Sequence, residues 1–378
     1  MADAPAPARG TFFQRFLLPS LALKGVIIGG GYATGRELAE YFLSHGPVGA
    51  ILAMIVATIV WSVVAAITFA LAFQLRAYDY RTFMGELLGR GAIAFEICFL
   101  LFSVLLLAVF GAAAGEIATS VLGTPPLVGT LALAVCIAVI CGIGEKAVET
   151  MFKYVSIALY SIYALFLVLA LSSFGERIDA AFEAGGISPG WAVSGVTYGI
   201  YNIVGAVMIL PVLRHLGSRR DGVIAGLIAG PMAMIPALAF VVAMAAFLPE
   251  ILNERLPSDL LLERIGSPAF QVAFQLMVFG ALLESGVGVI HALNERVARV
   301  IGDGEERPAL RWFRPVFTVV VLAGCMFVAN RIGLVDLIAS GYRLMAFFFL
   351  FTFMLPVLTF GLIRLLRTSR RRTAIEDA

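Results

Sequence analysis

Glu284 and Ser285 lie in Leu282-Leu283-Glu284-Ser285-Gly286-Val287-Gly288, inside a stretch that is otherwise apolar. A carboxylate in such a setting is costly and as a rule faces a cavity or a partner. It is suited to reversible protonation or cation binding, the alternative being a locked ion pair. Counted from Pro268, Glu284 falls about 24 Å along a helix, near the middle of a membrane span. Ser285 could add a hydroxyl ligand for an ion. Lys153 lies about two turns into another apolar stretch. It is either a charge at a site or a stem that snorkels to the interface. Arg36, Glu37 and Glu40 cluster after a glycine run, Glu116 follows Gly111 and Gly115, and Arg343 sits in the last apolar stretch. Arg36, Glu37, Glu116 and Arg343 are candidates for a gate at one end of a pathway: Glu37 lines a vestibule or is solvated at a helix end, and Glu116 faces that vestibule or pairs with Arg343. His291 follows Glu284 by two helical turns and is read as a structural histidine rather than a proton relay.

Gly25-Val26-Ile27-Ile28-Gly29-Gly30-Gly31-Tyr32-Ala33-Thr34-Gly35-Arg36 falls within the first long apolar stretch. Each glycine costs a helix about 1 kcal/mol against alanine, so the helix is expected to break near 29–35. Broken backbone at membrane depth is tolerated where it lines a cavity or is packed in protein, and free backbone groups there bind ions and substrates. Close packing through small residues is the alternative. A second break is expected near 200–205, in Tyr198-Gly199-Ile200-Tyr201-Asn202-Ile203-Val204-Gly205, which is followed by Pro211. The expected substrate-facing residues are Gly29, Gly30, Gly31, Tyr32, Ala33 and Thr34 of the first segment. Gly111, Tyr198, Tyr201, Asn202 and Glu284 complete the set.

These residues need a helical membrane frame. The chain is 61% hydrophobic and only 14% charged, against about 25% charged in a soluble domain. Apolar stretches predict an all-α polytopic protein of ten spans: 14–43, 47–75, 91–121, 126–142, 146–172, 190–216, 219–247, 268–298, 312–330 and 334–366. Residues 1–13 and 367–378 are expected as cytoplasmic segments flanking one transmembrane domain, 14–366. With odd loops and both termini on one side, that side carries 18 basic residues and the other carries 4. By the positive-inside rule both termini are cytoplasmic, in a plasma (inner) membrane. Gly25-Val26-Ile27-Ile28-Gly29 has an echo in Gly195-Val196-Thr197-Tyr198-Gly199. With the alternation of directions, this suggests two five-span halves, 14–172 and 190–366, of opposite orientation, with the first and sixth spans broken.

The four cysteines fall in predicted spans at no metal-ligand spacing and read as free thiols. No cofactor or metal site is expected, and no Walker, His-Glu-x-x-His or Gly-x-Ser-x-Gly motif is present. The arginines at 367–372 read as a membrane-surface anchor rather than a nucleic-acid patch.

The stretch GVIIGGGYATGRELAEYF, from Gly25 to Phe42, resembles the YkvI-type family of membrane permeases. The ten-span pattern resembles the LeuT fold of the amino acid–polyamine–organocation superfamily. The likeness runs from about residue 14 to 366. It implies secondary transport by alternating access, with spans one, two, six and seven moving against three, four, eight and nine. It also implies that Gly29, Gly30, Gly31 and Gly35 form the unwound segment and that Arg36 is the gate arginine. Lys153 would place its ammonium where sodium binds in relatives. Paired hydroxyls that often hold sodium in this fold are replaced here by Glu284 and Ser285.

The expected function is therefore transport of a small organic solute, amino acid or amine-like, with proton coupling favoured over sodium. The expected partners are that solute, H+ or Na+, and the lipid bilayer; the oligomeric state is left open. A channel or ligand sensor of the same fold is the alternative. An intramembrane enzyme built on Glu284 and His291 ranks below both, so the chain is read as no enzyme.

Overall fold

The computed structural model describes residues 11–143, 145–301 and 308–367, and every regular element there is helical. The first segment enters through α1 (Leu18–Ile27), stops, makes one turn as α2 (Gly30–Ala33), stops again and resumes as α3 (Arg36–Tyr41). Ile28 leaves helical geometry at φ −77° and ψ 77°. Gly35 is left-handed at φ 79°, and an added Cβ there would meet the Phe240 ring at 2.9 Å. Glycine is thus required twice at one position, for the backbone and for the space.

A long helix α4 (Gly46–Leu75) follows, then the short surface helix α5 (Tyr80–Leu88), whose N-cap Asp79 accepts from the Thr82 amide. Next come α6 (Ala92–Leu122), α7 (Pro126–Ile143) and α8 (Glu145–Ser173). The chain bends by 71° from α8 into α9 (Gly175–Ala184). The second half opens with α10 (Trp191–Ile203) and one turn, α11 (Gly205–Met208), before a 3-10 stretch from Leu210 to His215. It continues with α12 (Arg219–Ala245), α13 (Pro257–Ile265), α14 (Pro268–Ile301), α15 (Pro308–Ile332) and α16 (Leu334–Asp336). A final run through α17 (Tyr342–Phe349) extends to Arg367.

Among the described residues, six helical stretches are long and apolar enough to cross a membrane, and a seventh if the bent α8–α9 pair is one span. Two more apolar stretches, Pro126–Cys141 and Val316–Ile332, are shorter. Large apolar side chains such as Ile59, Ile97, Val135, Val320 and Phe347 point outward. An apolar exterior of this kind suits a lipid solvent.

The sixth segment differs from expectation. Residues 200–203 are regular helix, and the interruption shrinks to Val204, whose φ −55° and ψ −28° remain helical. The stronger departure comes later, at Ile209 and the 3-10 turn. Gly195 and Gly199 do not unwind the helix. They let α10 lie on α4, against the Ala53 carbonyl and the Val60 side chain. Trp61 of α4 donates its indole N–H to the Gly199 carbonyl at 3.2 Å. Close packing through small residues, the alternative weighed for the first segment, is what these two glycines do in the sixth.

Two groups of helices emerge from the packing. In one, α12 and α10 lie along α4, and α1 lies along α12. Gly222, Gly226 and Gly230 of α12 face Ala70, Ala66 and Ser62 of α4 with no room for a Cβ. Arg15 locks the start of this group with a two-bond fork onto Asp221, at 2.6 and 2.7 Å. In the other group α6 and α7 pack together, and α14 and α15 pack against both.

Candidate functional site

Between the two groups, at the break after α1, lies a cavity of about 320 Å³. The first segment contributes Gly25 to Gly29 to its wall, together with Glu37 of α3. Facing them are Phe99, Phe102 and Phe110 of α6, Tyr160 of α8, Tyr201 and Asn202 of α10, Glu284 and Ser285 of α14, and Tyr342 of α17. The helix stops beside this cavity. With α1 ended at Ile27, backbone at Ile28 and Gly29 borders the cavity, and nothing larger than hydrogen at Gly29 separates it from Ser285, whose Oγ would lie 3.8 Å from an added Cβ.

The walls differ from end to end. Val26, Tyr160 and Met208, near α1, are 37%, 43% and 44% exposed, whereas Glu37, Tyr201 and Tyr342 are 6%, 2% and 1% exposed. The cavity is thus open on the side of Val26, Tyr160 and Met208 and closed where α3 begins. The closure is built from hydrogen bonds. Tyr201 donates to Glu37 Oε2 at 2.9 Å, joining α10 to α3. Tyr41 donates to the Ile338 carbonyl at 2.9 Å and Ser194 to the Tyr41 carbonyl at 2.7 Å. Arg36 reaches the carbonyls of Leu252 and Glu254 at 2.8 and 2.9 Å and pairs with Glu40 at 2.8 Å. It thereby ties α3 to the connection between α12 and α13.

The charged side chains among the described lining residues are Glu37 and Glu284. Lys24 lies just outside, its ammonium 4.9 Å from the centre of the Tyr160 ring, a cation–π contact at the open end. The rest of the surface is aromatic and aliphatic with a few hydroxyl and amide groups, the usual make-up of a small-molecule site.

Of the residues singled out from sequence, Gly29, Tyr201, Asn202, Glu284, Ser285 and Glu37 converge on this cavity. Tyr32, Ala33 and Thr34 are buried behind it: the Tyr32 hydroxyl reaches the Ala233 carbonyl at 3.4 Å, and the Thr34 carbonyl accepts from the Ser258 amide. Gly111 faces Thr130 of α7, which donates to its carbonyl at 2.8 Å, while its neighbour Phe110 lines the cavity. Tyr198 is sealed against Phe42, Tyr41 and Trp61. Glu116 pairs with Arg255 at 2.9 Å rather than with Arg343, which is exposed. The loop before α13 carries a cation to Glu116 that linear spacing could not foresee. His291 is also exposed. The surroundings of Gly30 and Gly31 and the side chain of Lys153 lie outside the described residues, as do residues 1–10 and 368–378.

Glu37 was read as a gate residue, and its place in the cavity wall was missed. So were the phenylalanines of α6, Tyr160 and Tyr342. The only signal for the former was the i, i+3 spacing of Phe99 and Phe102, which suits an ordinary packed face equally well.

With this geometry in view, the class is plain: a multi-pass helical membrane protein with the LeuT fold. The structure superposes on MhsT in complex with L-phenylalanine with a TM-score of 0.58, at 15% identity over 94% of this chain and 97% of that one. It also matches a Na+-coupled sialic acid symporter (TM-score 0.53, 12% identity, 92% and 86% covered). Mhp1, a nucleobase-cation-symport-1 family transporter with bromovinylhydantoin bound, matches with a TM-score of 0.50 at 13% identity, 90% and 77% covered. In sequence the chain is similar to the uncharacterized membrane protein YkvI of Bacillus subtilis (strain 168), 23% identical over 328 residues, 85% of this chain and 90% of that one. No protein-family model matches.

Proposed function

We propose that this chain is a secondary active transporter that moves a small organic solute, amino acid or amine-like, by alternating access. The observation that carries the proposal is the cavity at the break after α1, between the two helix groups, open at one end and closed at the other. A site accessible from one side at a time is what alternating access requires. In this reading, residues 14–366 form ten spans in two inverted halves, and both termini are cytoplasmic in the plasma (inner) membrane. The open end then faces the cytoplasm. The group containing α1, α4, α10 and α12 rocks against that of α6, α7, α14 and α15. The L-phenylalanine held by MhsT is of a size suited to such a cavity. Proton coupling is favoured over sodium because the polar pair on α14 at the cavity is a carboxylate and one hydroxyl, Glu284 and Ser285. Lys153 is kept as the cation that substitutes for sodium. The fold shared with transporters of known structure supports a reading of transport over one of intramembrane catalysis.

The test is uptake into proteoliposomes from a panel of labelled amino acids and amines, under a pH gradient and under a sodium gradient. Saturable uptake driven by the pH gradient is expected. Lys153→Ala and Glu284→Gln should each remove gradient-driven uptake while retaining solute exchange. Sodium-dependent uptake that survives Lys153→Ala would overturn the coupling. Binding without flux would convert the reading to a sensor.

A further inference from the structure

We propose that Glu37 carries the proton exchanged at this cavity, and that its hydrogen bond to Tyr201 ties release of that proton to separation of α3 from α10. Calling it the coupled proton rests on the transporter reading; the protonation itself does not.

Glu37 borders the cavity yet is only 6% exposed. The hydrogen bond that reaches it comes from the Tyr201 hydroxyl. An ionised carboxylate offers about four acceptor positions, so one hydroxyl leaves most of its demand unmet. Among the described residues, the groups around it are tyrosines. Tyr32 of α2, Tyr41 of α3, Tyr198 and Tyr201 of α10 and Tyr342 of α17 all lie within electrostatic reach of the carboxylate. Arg36, its neighbour in sequence, turns its guanidinium to Glu40 and to the carbonyls of Leu252 and Glu254. From α12 the nearby side chains are Phe240 and Met244, packed on Gly35. Arg343 of α17 faces Tyr41 from the exposed side. Glu284 of α14 lies in the same cavity, and Lys24 sits over Tyr160 at its open end. Among the described residues, no basic side chain pairs with Glu37.

A carboxylate held from water without a counter-charge takes up a proton. In the joined arrangement of α3 and α10 the proposed proton resides on Glu37, which is shut off from water there. When they part, water reaches the group, the carboxyl O–H bond breaks, the proton passes to that water and the carboxylate is left solvated. The reverse step restores the acid. Two hydroxyls in the same cage, those of Tyr198 and Tyr342, are buried without a hydrogen-bond partner. A small shift of α10 or α17 would aim them at the ionised form, which gives the site two states rather than one.

Infrared difference spectroscopy of the full chain in lipid bilayers, titrated with pH and without any solute, tests this directly. A protonated-carboxyl stretch should rise and fall with pH, disappear in Glu37→Gln and persist in Glu284→Gln. Tyr201→Phe, which keeps the ring and removes the donor, should move its midpoint. If Glu37→Gln yields no folded protein, the Tyr201→Phe comparison still decides, because a midpoint identical to wild type overturns the link. A band unchanged in Glu37→Gln, or one lost in Glu284→Gln instead, overturns the assignment. A titrating Glu37 band in a protein that moves no solute would leave this proposal standing and defeat the transporter reading. Uptake with Glu37 silent would do the opposite.

Discussion

At Gly35 the chain turns left-handed beneath Phe240, between two helical pieces, whereas at Gly199 it runs as regular helix with its carbonyl held by Trp61. In the linear sequence both glycines lie in similar apolar, glycine-bearing stretches, and the two stretches share a Gly-x-x-x-Gly echo. Their difference lies in what stands opposite. Gly195 and Gly199 meet the backbone and Val60 of α4, so the missing side chain is filled by a neighbouring helix. Gly25 and Gly29 meet open space or a lone hydroxyl, so the missing side chain becomes part of a cavity. Glycine thus serves close approach in one half and exposed backbone in the other. At the cavity the discontinuity lies in the first segment, whereas the sixth departs from α-helix later, at Ile209.

That contrast can be broken most sharply at Gly35. Gly35→Val should destabilise the protein by about 3 kcal/mol, since it combines a left-handed β-branched residue with a clash on Phe240. The check is the thermal midpoint in detergent; an unchanged midpoint would mean that α3 can rearrange freely. Gly199→Val should also weaken the fold, by about 1–3 kcal/mol of overpacking against Val60.

Gly29→Leu addresses function rather than folding. It should lower solute uptake at least tenfold, an effect of about 1.4 kcal/mol or more, with little change in melting. Retained uptake would place the solute away from the break.

Amide hydrogen exchange sharpens the comparison without mutation. The amides at Ile28 and Gly29 should exchange faster than those at Ile200 to Ile203, because the latter belong to a continuous helix. Equal protection would contradict the asymmetry. The smallest effect is expected at Gly25, where nothing lies within 4 Å of an added Cβ. Gly25→Ala should raise stability by about 0.5 kcal/mol through helix propensity. A loss instead would show that α1 needs that glycine to move.

Composition and the spacing of apolar stretches were enough to announce a helical membrane protein, because a segment that must satisfy its backbone inside lipid can be read from its own residues. The run Gly29-Gly30-Gly31 and Gly35 likewise announced a break, since the cost of glycine in a helix is local. Glu284 stood out because a charge among apolar neighbours is conspicuous in one dimension. What faces what was decided only by the tertiary structure. The loop that brings Arg255 to Glu116, the wall of α6 that holds Phe99 and Phe102, and the turn that sends Arg36 to Leu252 and Glu254 all depend on contacts between residues far apart in the chain. Glu37 shows the division most clearly. Its sequence neighbours Arg36 and Glu40 made it look like part of a charged gate, but those two pair with each other. Folding then leaves Glu37 beside Tyr201 in the cavity wall. Helix formation and membrane insertion depend on residues adjacent in sequence; the environment of a buried carboxylate is set by distant segments that only packing brings together.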